Sequence, residues 1–453
     1  MVEMRHVRQN MEMVIDHRPV ETLNADVFVT GGGAAGLAAA VTAARQGCRV
    51  VLAERYGFCG GGAVAGLSGT VCGLYEATER ASRPVQVVHG FVDEFIRMMR
   101  QRGGLSEPVR YGKTWTLVHD PLVWREVGDA LLREAGVTAI YHGTVTEVLV
   151  EGHAVRGAQL YTKQGKVRVL APVTIDASGD ADLVEMAGWR TTMGDDGRVQ
   201  NPTMMFRLGG VDVERFLATY GADTIMPPEV SAKIADANGK GYRLPRGKIW
   251  LFPTTRPGEL LCNCTRVTGA DGRELNPVKH RDFTEAEFQG RAQVREYARF
   301  FKDFLAGCES SWVIDTGVQV GVRQTRQVAG VKTLRNADIL SGAKFADGIA
   351  RCPWPIELHS GSRPRVEWLL NDYYEVPFGC FVPESGENLL VAGRCLSAEH
   401  EAVASARVTA QCFSYGHAIG HAAALASQER LAVRGISGED VRHLLNRDGA
   451  QLN

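Results

Sequence analysis

Residues 26–33 read DVFVTGGG and run directly into AAGLAAAVTAARQG, the stretch that most narrows what this chain can fold into. Val27, Phe28 and Val29 form a short apolar, β-rich run, as expected of a buried parallel strand. The strand breaks at Gly31, Gly32 and Gly33. The Ala-rich stretch that follows has no breaker before Gly47, which predicts a helix. CRVVLAE then predicts a second strand ending at Glu54. Glycines at 31, 33 and 36 spell G-x-G-x-x-G between strand and helix, the dinucleotide-binding arrangement. Gly31 allows the tight turn, Gly33 lets a pyrophosphate approach the backbone, and Gly36 lets the helix pack on the strand. With Gly32, Ala34 and Ala35 they form the candidate cofactor turn, where the helix offers free N–H groups and a positive dipole end.

Glu54 lies about 20 residues on, where a carboxylate accepts ribose hydroxyls. A carboxylate there repels a 2′-phosphate, so the cofactor is FAD or NAD and not NADP. The next segment, RYGFCGGGAVAGLSGTVCGLY, has glycines at 57, 60, 61, 62, 66, 69 and 73. A backbone-exposing loop of this kind suits a long flavin cofactor lying across it.

The order E-R-x-x-x-x-G-G, from Glu54 and Arg55 to Gly60, Gly61 and Gly62, resembles the glutathione-reductase-like FAD-binding class. It looks closer still to FAD-dependent oxidoreductases that include heterodisulfide-reductase-A-like flavoproteins, here without their iron–sulfur cysteines. The segment 145–188 resembles the central β-meander of that class and the strand returning to the FAD domain, with VTIDASGDADL as the turn that passes near the flavin. NLLVAGRCLSAEHEAVASARVTAQCFSYGHAIGHAAALA at 388–426 resembles its last flavin-contacting strand and a long helix after it. The resemblance implies an α/β fold: a Rossmann-type FAD-binding domain with a central parallel sheet and a β-meander, plus an inserted α+β substrate lobe. It also implies FAD contacts at Val145, Ser178, Gly179, Gly393 and Arg394. GVRQTRQVAG at 321–330 resembles a segment usually bearing R-E-x-R, but Gln324 stands where the acid is expected.

At 453 residues the chain is long enough for two or three domains. The FAD domain is expected over 22–194, with a helical insert near 81–109, and again over 321–435. The substrate lobe is expected over 195–320, and a short helical tail over 436–453. Residues 1–24 read as a loose arm or an oligomer contact. Net charge is -1, so no global field draws nucleic acid or anionic lipid. With no apolar run of 18 residues and no secretory leader, the expectation is a cytoplasmic protein off the membrane. The ten cysteines include no C-x-x-C pair, and no metal site is expected. Cys262 and Cys264 are read as pointing to opposite faces of a strand.

For the chemistry, His400 in SAEHEAV is the first acid–base candidate, flanked by Glu399 and Glu401. The resemblance places Arg323 and Arg326 close to the flavin, where they would clamp a carboxylate or stabilise a reduced flavin anion. Trp354, Tyr373 and Tyr374 are candidates for an aromatic pocket. Cys59 is a packing residue or a flavin tether. His359 is a weaker base candidate, expected at the surface. No second G-x-G-x-x-G and no redox Cys pair is visible. The leading expectation is therefore an FAD-dependent dehydrogenase or oxidase that removes hydride from a small polar organic molecule. An FAD monooxygenase using external NAD(P)H and oxygen, or an accessory electron-transfer subunit, stay open.

Overall fold

The computed structural model describes residues 20–79, 83–359 and 364–452. Five parallel strands form the central sheet. In chain order its elements are β1 (Val27–Thr30), followed by helix α1 (Ala34–Arg45), then β2 (Val50–Glu54), β3 (Thr138–Tyr141), β4 (Val173–Asp176) and β5 (Leu389–Val391), with helix α2 (Thr409–Glu429) after it. The spatial order is β5-β4-β1-β2-β3, with Val27 paired to both Val50 and Val173. The four strands from β5 to β2 are fully buried, which is why they read as continuous apolar runs rather than alternating ones.

Helices α1 and α2 cover one face of this sheet, and they lie unusually close. A Cβ at Gly416 would sit 2.0 Å from the Ala35 carbonyl oxygen, and one at Gly420 would sit 2.7 Å from that of Ala39. Only small residues allow such an approach. The meander covers the other face. Its strands Thr144–Glu151, Ala154–Thr162 and Gly165–Leu170 pair antiparallel, and Glu21–Asn24 adds a parallel fourth strand beside the last. Part of the expected N-terminal arm is therefore built into a sheet, and residues 1–19 lie outside the described residues.

A second core, drawn from Met204 to Val320, forms a lobe. Strands Trp250–Pro253, Leu260–Asn263, Phe206–Gly209 and Trp312–Thr316 form its antiparallel sheet, backed by helices Val213–Tyr220, Pro228–Gly239 and His280–Phe304. Alternation divides the sheet. Leu251, Leu260 and Cys262 face the lobe helices, while Trp250, Phe252 and Leu261 join the core of the FAD body. Cys262 and Cys264 belong to the same core, not to opposite faces, because residues two apart on extended chain share a side.

Helix Phe91–Gln101 lies within the expected helical insert and is flanked by a sheet of Thr70–Val71, Thr114–Val118 and Val109–Tyr111. One further expectation needs correction. The helix expected after β5 is two helices, His400–Ala406 and α2, because Val408 is extended (ψ 164°) and caps the second. Helix Pro121–Glu134 starts at Asp120, whose carboxylate accepts from the Leu122 and Val123 amides.

The tail is a docked element. Helix Gly438–Arg447 sends Arg442 onto buried Glu375 through two 3.0 Å bonds. Beyond it, Asp448 Oδ2 meets His417 Nε2 at 3.4 Å and His421 Nε2 at 2.9 Å. Burial holds His421 down to about 4, and does the same to His119, whose ring lies against Trp124. In the unfolded chain both titrate near 6.5. The unfolded state takes up protons that the folded state refuses, so stability falls as pH drops from about 6.5 to about 4. Denaturant midpoints at pH 7 and pH 4.5 should therefore converge in His421→Gln relative to the native chain. An unchanged difference would contradict a neutral buried His421.

Candidate active site

A cavity of about 360 Å³ runs from the glycine turn to the junction of the FAD body and the lobe. At its outer end the two strict glycines are explained by packing. Gly31 has φ +92°, and a Cβ there would sit 2.4 Å from the Ala177 carbonyl oxygen. A Cβ on Gly36 would sit 1.8 Å from the Gly31 carbonyl oxygen, and one on Gly32 would sit 2.7 Å from Cys59 Sγ. Gly33 differs. Its Cβ would meet nothing nearer than the Gly61 Cα at 3.9 Å, and Gly62 has nothing within 4 Å. Both glycines line the cavity. Their missing side chains leave room for a ligand, not for neighbouring protein. Gly33 also caps α1, whose first turn carries no acid, so the helix N–H groups are available to a phosphate.

Glu54 is buried at the end of β2. Its Oε2 accepts from the Gly32 amide at 2.6 Å and its Oε1 from the Tyr56 amide at 2.9 Å. Burial raises its pKa, against the pull of those amides. Each oxygen keeps a further lone pair for a ribose hydroxyl. Arg55 donates to Gln319 at 2.9 Å and lines the cavity. The turn after β4 is held by Asp176, which accepts from the Ser178 hydroxyl at 2.6 Å and the Leu183 amide at 2.8 Å. Asp180 accepts from Arg394 at 2.8 Å and from the Thr325 hydroxyl at 2.6 Å. Burial works against Asp180, but the Arg394 guanidinium holds its carboxyl below the usual range.

Ala34, Ala35, Gly60, Gly61, Val145, Ser178, Gly179, Gly393 and Arg394 also line the cavity. Gly32 and Gly36 lie behind it as packing positions. The open space over Gly33 and Gly62, the exposed helix start and the buried acid at Glu54 together fit a dinucleotide.

The catalytic candidates divide. Arg323 lines the cavity. Arg326 does not: it binds the Asp180 carbonyl at 2.9 Å and pairs with Asp182, fastening its strand to the turn after β4. His400 lies outside the cavity at the start of its short helix. Its neighbours are engaged elsewhere, Glu399 with the Asn336 amide and Glu401 with Arg365. Burial lowers His400, and its Nδ1 has no partner. Cys59 is buried beneath the turn, with burial pushing its thiol up to about 12, which removes the electropositive setting a reactive thiol needs. Trp354 lines the cavity, whereas the Tyr374 hydroxyl is turned to Ser405 at 2.7 Å and Tyr373 lies against Lys344 and Arg351.

The inner end of the cavity holds a polar chamber in which Arg323, Trp354 and His359 meet Tyr111, Arg246, Glu357 and Arg407, which the sequence did not single out. His359 is buried there, 8% exposed, and not at the surface. Its Nε2 lies 3.6 Å from Glu357 Oε1, and its Nδ1 accepts from Arg246 at 2.8 Å. The Tyr111 hydroxyl donates to Glu357 at 2.7 Å. Arg323 donates to the Asn201 carbonyl at 2.7 Å, and Arg407 reaches Gln200 at 3.5 Å. Because Nδ1 accepts from a guanidinium, the proton of the neutral imidazole is on Nε2, facing the carboxylate. Burial, reinforced by the Arg323 charge, keeps His359 well below the usual imidazole range. Burial alone would raise Glu357, but hydrogen bonding from His359 and Tyr111 and the Arg246 charge outweigh it and hold the carboxyl below the usual carboxylate range. One signal was available: Glu357 and His359 are two apart on extended chain, and so share a face.

The two kinds of glycine give opposed outcomes. Gly36→Ala should destabilise the fold by about 1–3 kcal/mol or more, read as a lowered melting temperature. Gly33→Ala should melt like the FAD-free native chain and lose FAD on purification. A Gly33→Ala protein that retains stoichiometric FAD would contradict this assignment.

A family model described as FAD dependent oxidoreductase matches residues 26–445. No protein of curated function matches the chain. Among solved structures, a geranylgeranyl bacteriochlorophyll reductase-like protein from Thermoplasma acidophilum is 14% identical, with a TM-score of 0.49 over 95% of this chain and 92% of the other. A p-nitrophenol 4-monooxygenase from Pseudomonas putida DLL-E4 is 12% identical, with a TM-score of 0.49 over 96% and 88%. A flavin-dependent brominase is 15% identical, with a TM-score of 0.45 over 94% and 83%. With the family model spanning nearly all of the chain and the fingerprint, acid and cavity in place, the protein belongs to the FAD-dependent oxidoreductase family and is an enzyme that uses FAD.

Proposed function

We propose that this enzyme is a dehydrogenase or oxidase that takes hydride from a small polar organic substrate held in the inner chamber. One observation carries the reading: the Tyr111–Glu357–His359 group opens onto the same cavity as the Gly33 turn. FAD, when bound, supplies the two-electron acceptor. The chain must then bind the substrate, orient it and take the proton that leaves with the hydride.

Glu357 is the proton acceptor in this reading. It is ionised throughout the neutral range and faces the cavity. His359 and Tyr111 fix its orientation, and Arg246 fixes the ring of His359 in turn. Trp354 and Phe252 close the chamber with apolar surface, Tyr111 packing against both at ring-centroid distances of 5.0 Å and 6.2 Å. Excluding water strengthens each electrostatic contact inside.

The test is anaerobic mixing of the FAD-loaded enzyme with a panel of alcohols, amines and hydroxy acids, following the visible absorption of the flavin. At least one compound should bleach it without NAD(P)H. Glu357→Gln should retain its FAD and slow that bleaching by about 10²–10⁴-fold. Substrate-stimulated NAD(P)H oxidation with oxygen uptake and no direct bleaching would overturn the proposal in favour of hydroxylation.

A further inference from the structure

The floor of the cavity carries more positive charge than the protein around it neutralises. Arg246 and Arg323 are buried, and Arg407 enters the cavity from the break between the two C-terminal helices. Among the described residues none of the three has a carboxylate within ion-pair distance, whereas the similarly buried Arg207 is paired with both Glu259 and Asp315. Their partners are neutral. Arg246 has the Asn263 side chain at 3.3 Å, His359 at 2.8 Å and the Trp250 ring at 4.5 Å. Arg323 has the Asn201 carbonyl and, at 3.5 Å, the Asn263 side chain. Among the described residues the Arg407 side chain has one hydrogen bond, to Gln200 at 3.5 Å, and its buried Nε has no partner.

A single carboxylate, Glu357, acts on all three. Three guanidiniums against one carboxylate leave two positive charges in excess. Burying charge without compensation is expensive, and guanidiniums in such a setting suit planar, bidentate recognition of a carboxylate. Burial pulls Arg407 down to about 10, and burial together with the other two arginines pulls Arg323 well below the usual guanidinium range. A bound anion would relieve both.

We infer that the chamber is an organic-acid site, in which Arg407 and Arg323 take a substrate carboxylate from the cavity side and Arg246 completes the positive field behind His359. The excess of two charges favours a dicarboxylate. This rests on the chamber being the substrate site, as proposed above. It adds that an anion at Arg407 shares the positive field that now acts on Glu357, so the carboxylate becomes a better proton acceptor once the substrate is in place.

Binding and turnover can be read separately. The FAD-loaded enzyme is titrated anaerobically with succinate, glutarate, benzoate and acetate, and with succinamide as the uncharged control. The readout is perturbation of the flavin absorption bands, as distinct from bleaching. Saturable perturbation by a dicarboxylate and none by succinamide is expected. Arg407→Met should weaken that binding by roughly 30-fold or more with its FAD retained, and Arg407→Lys should recover part of it. Perturbation without bleaching would leave the organic-acid site standing and count against dehydrogenation of that compound. Failure of every carboxylate to perturb the flavin, or equal effects of succinate and succinamide, would overturn the inference. So would an Arg407→Met enzyme whose FAD is lost or whose ligand-free flavin spectrum alone changes, since Arg407 would then serve the flavin and not a substrate.

Discussion

Where Gly36 meets the Gly31 carbonyl, no side chain can stand, and the geometry around the cofactor turn follows from that contact. It lets α1 start directly over the end of β1, and the closeness continues along the helix, where Ala35 and Ala39 accept Gly416 and Gly420 of α2. α2 is thereby pressed onto the sheet, with Val408 and Thr409 at its start facing the cavity. The same turn receives Glu54 from β2 through the Gly32 amide and abuts Ala177 after β4. Two helix starts, one acid and the turn after β4 thus converge through contacts between backbones, which tolerate almost no variation in side-chain volume.

The two ends of the cavity are built differently. The outer end is made by local sequence: a strand, three glycines, a helix and an acid at the end of the next strand. The inner end draws Tyr111 from the small sheet, Arg246 from the lobe, Arg323 from the segment following the lobe, Glu357 and His359 from one extended stretch, and Arg407 from a helix break. Apart from Arg323, each lies in a stretch without a signature of its own. The lobe sheet, with Trp250 and Phe252 turned toward the FAD body and Leu251 turned away, packs Phe252 and Trp250 against Tyr111.

That difference explains what could be read from residues alone. The fingerprint at 31–36, Glu54 and the meander were legible because their spacing is the mechanism. The helix break at Arg407 was hidden in a run of helix formers, and the role of His359 was hidden because a lone histidine beside a Ser-Gly segment reads as exposed. His400 drew attention through Glu399 and Glu401, yet those side chains turn to Asn336 and Arg365. Neighbours in sequence were mistaken for neighbours in space. Arg323 and Arg326 show the same limit, since three residues apart they serve a chamber and an ion pair respectively.

The proposed reaction requires that the cofactor cavity and the polar chamber form a single reaction space. A crystal structure of the FAD complex tests it most directly. In that complex the adenosine end is expected against Glu54, the pyrophosphate over Gly33, and the redox-active ring end open to Tyr111, Glu357 and His359. A bound FAD whose ring is walled off by protein from Glu357 and Arg407 would contradict it.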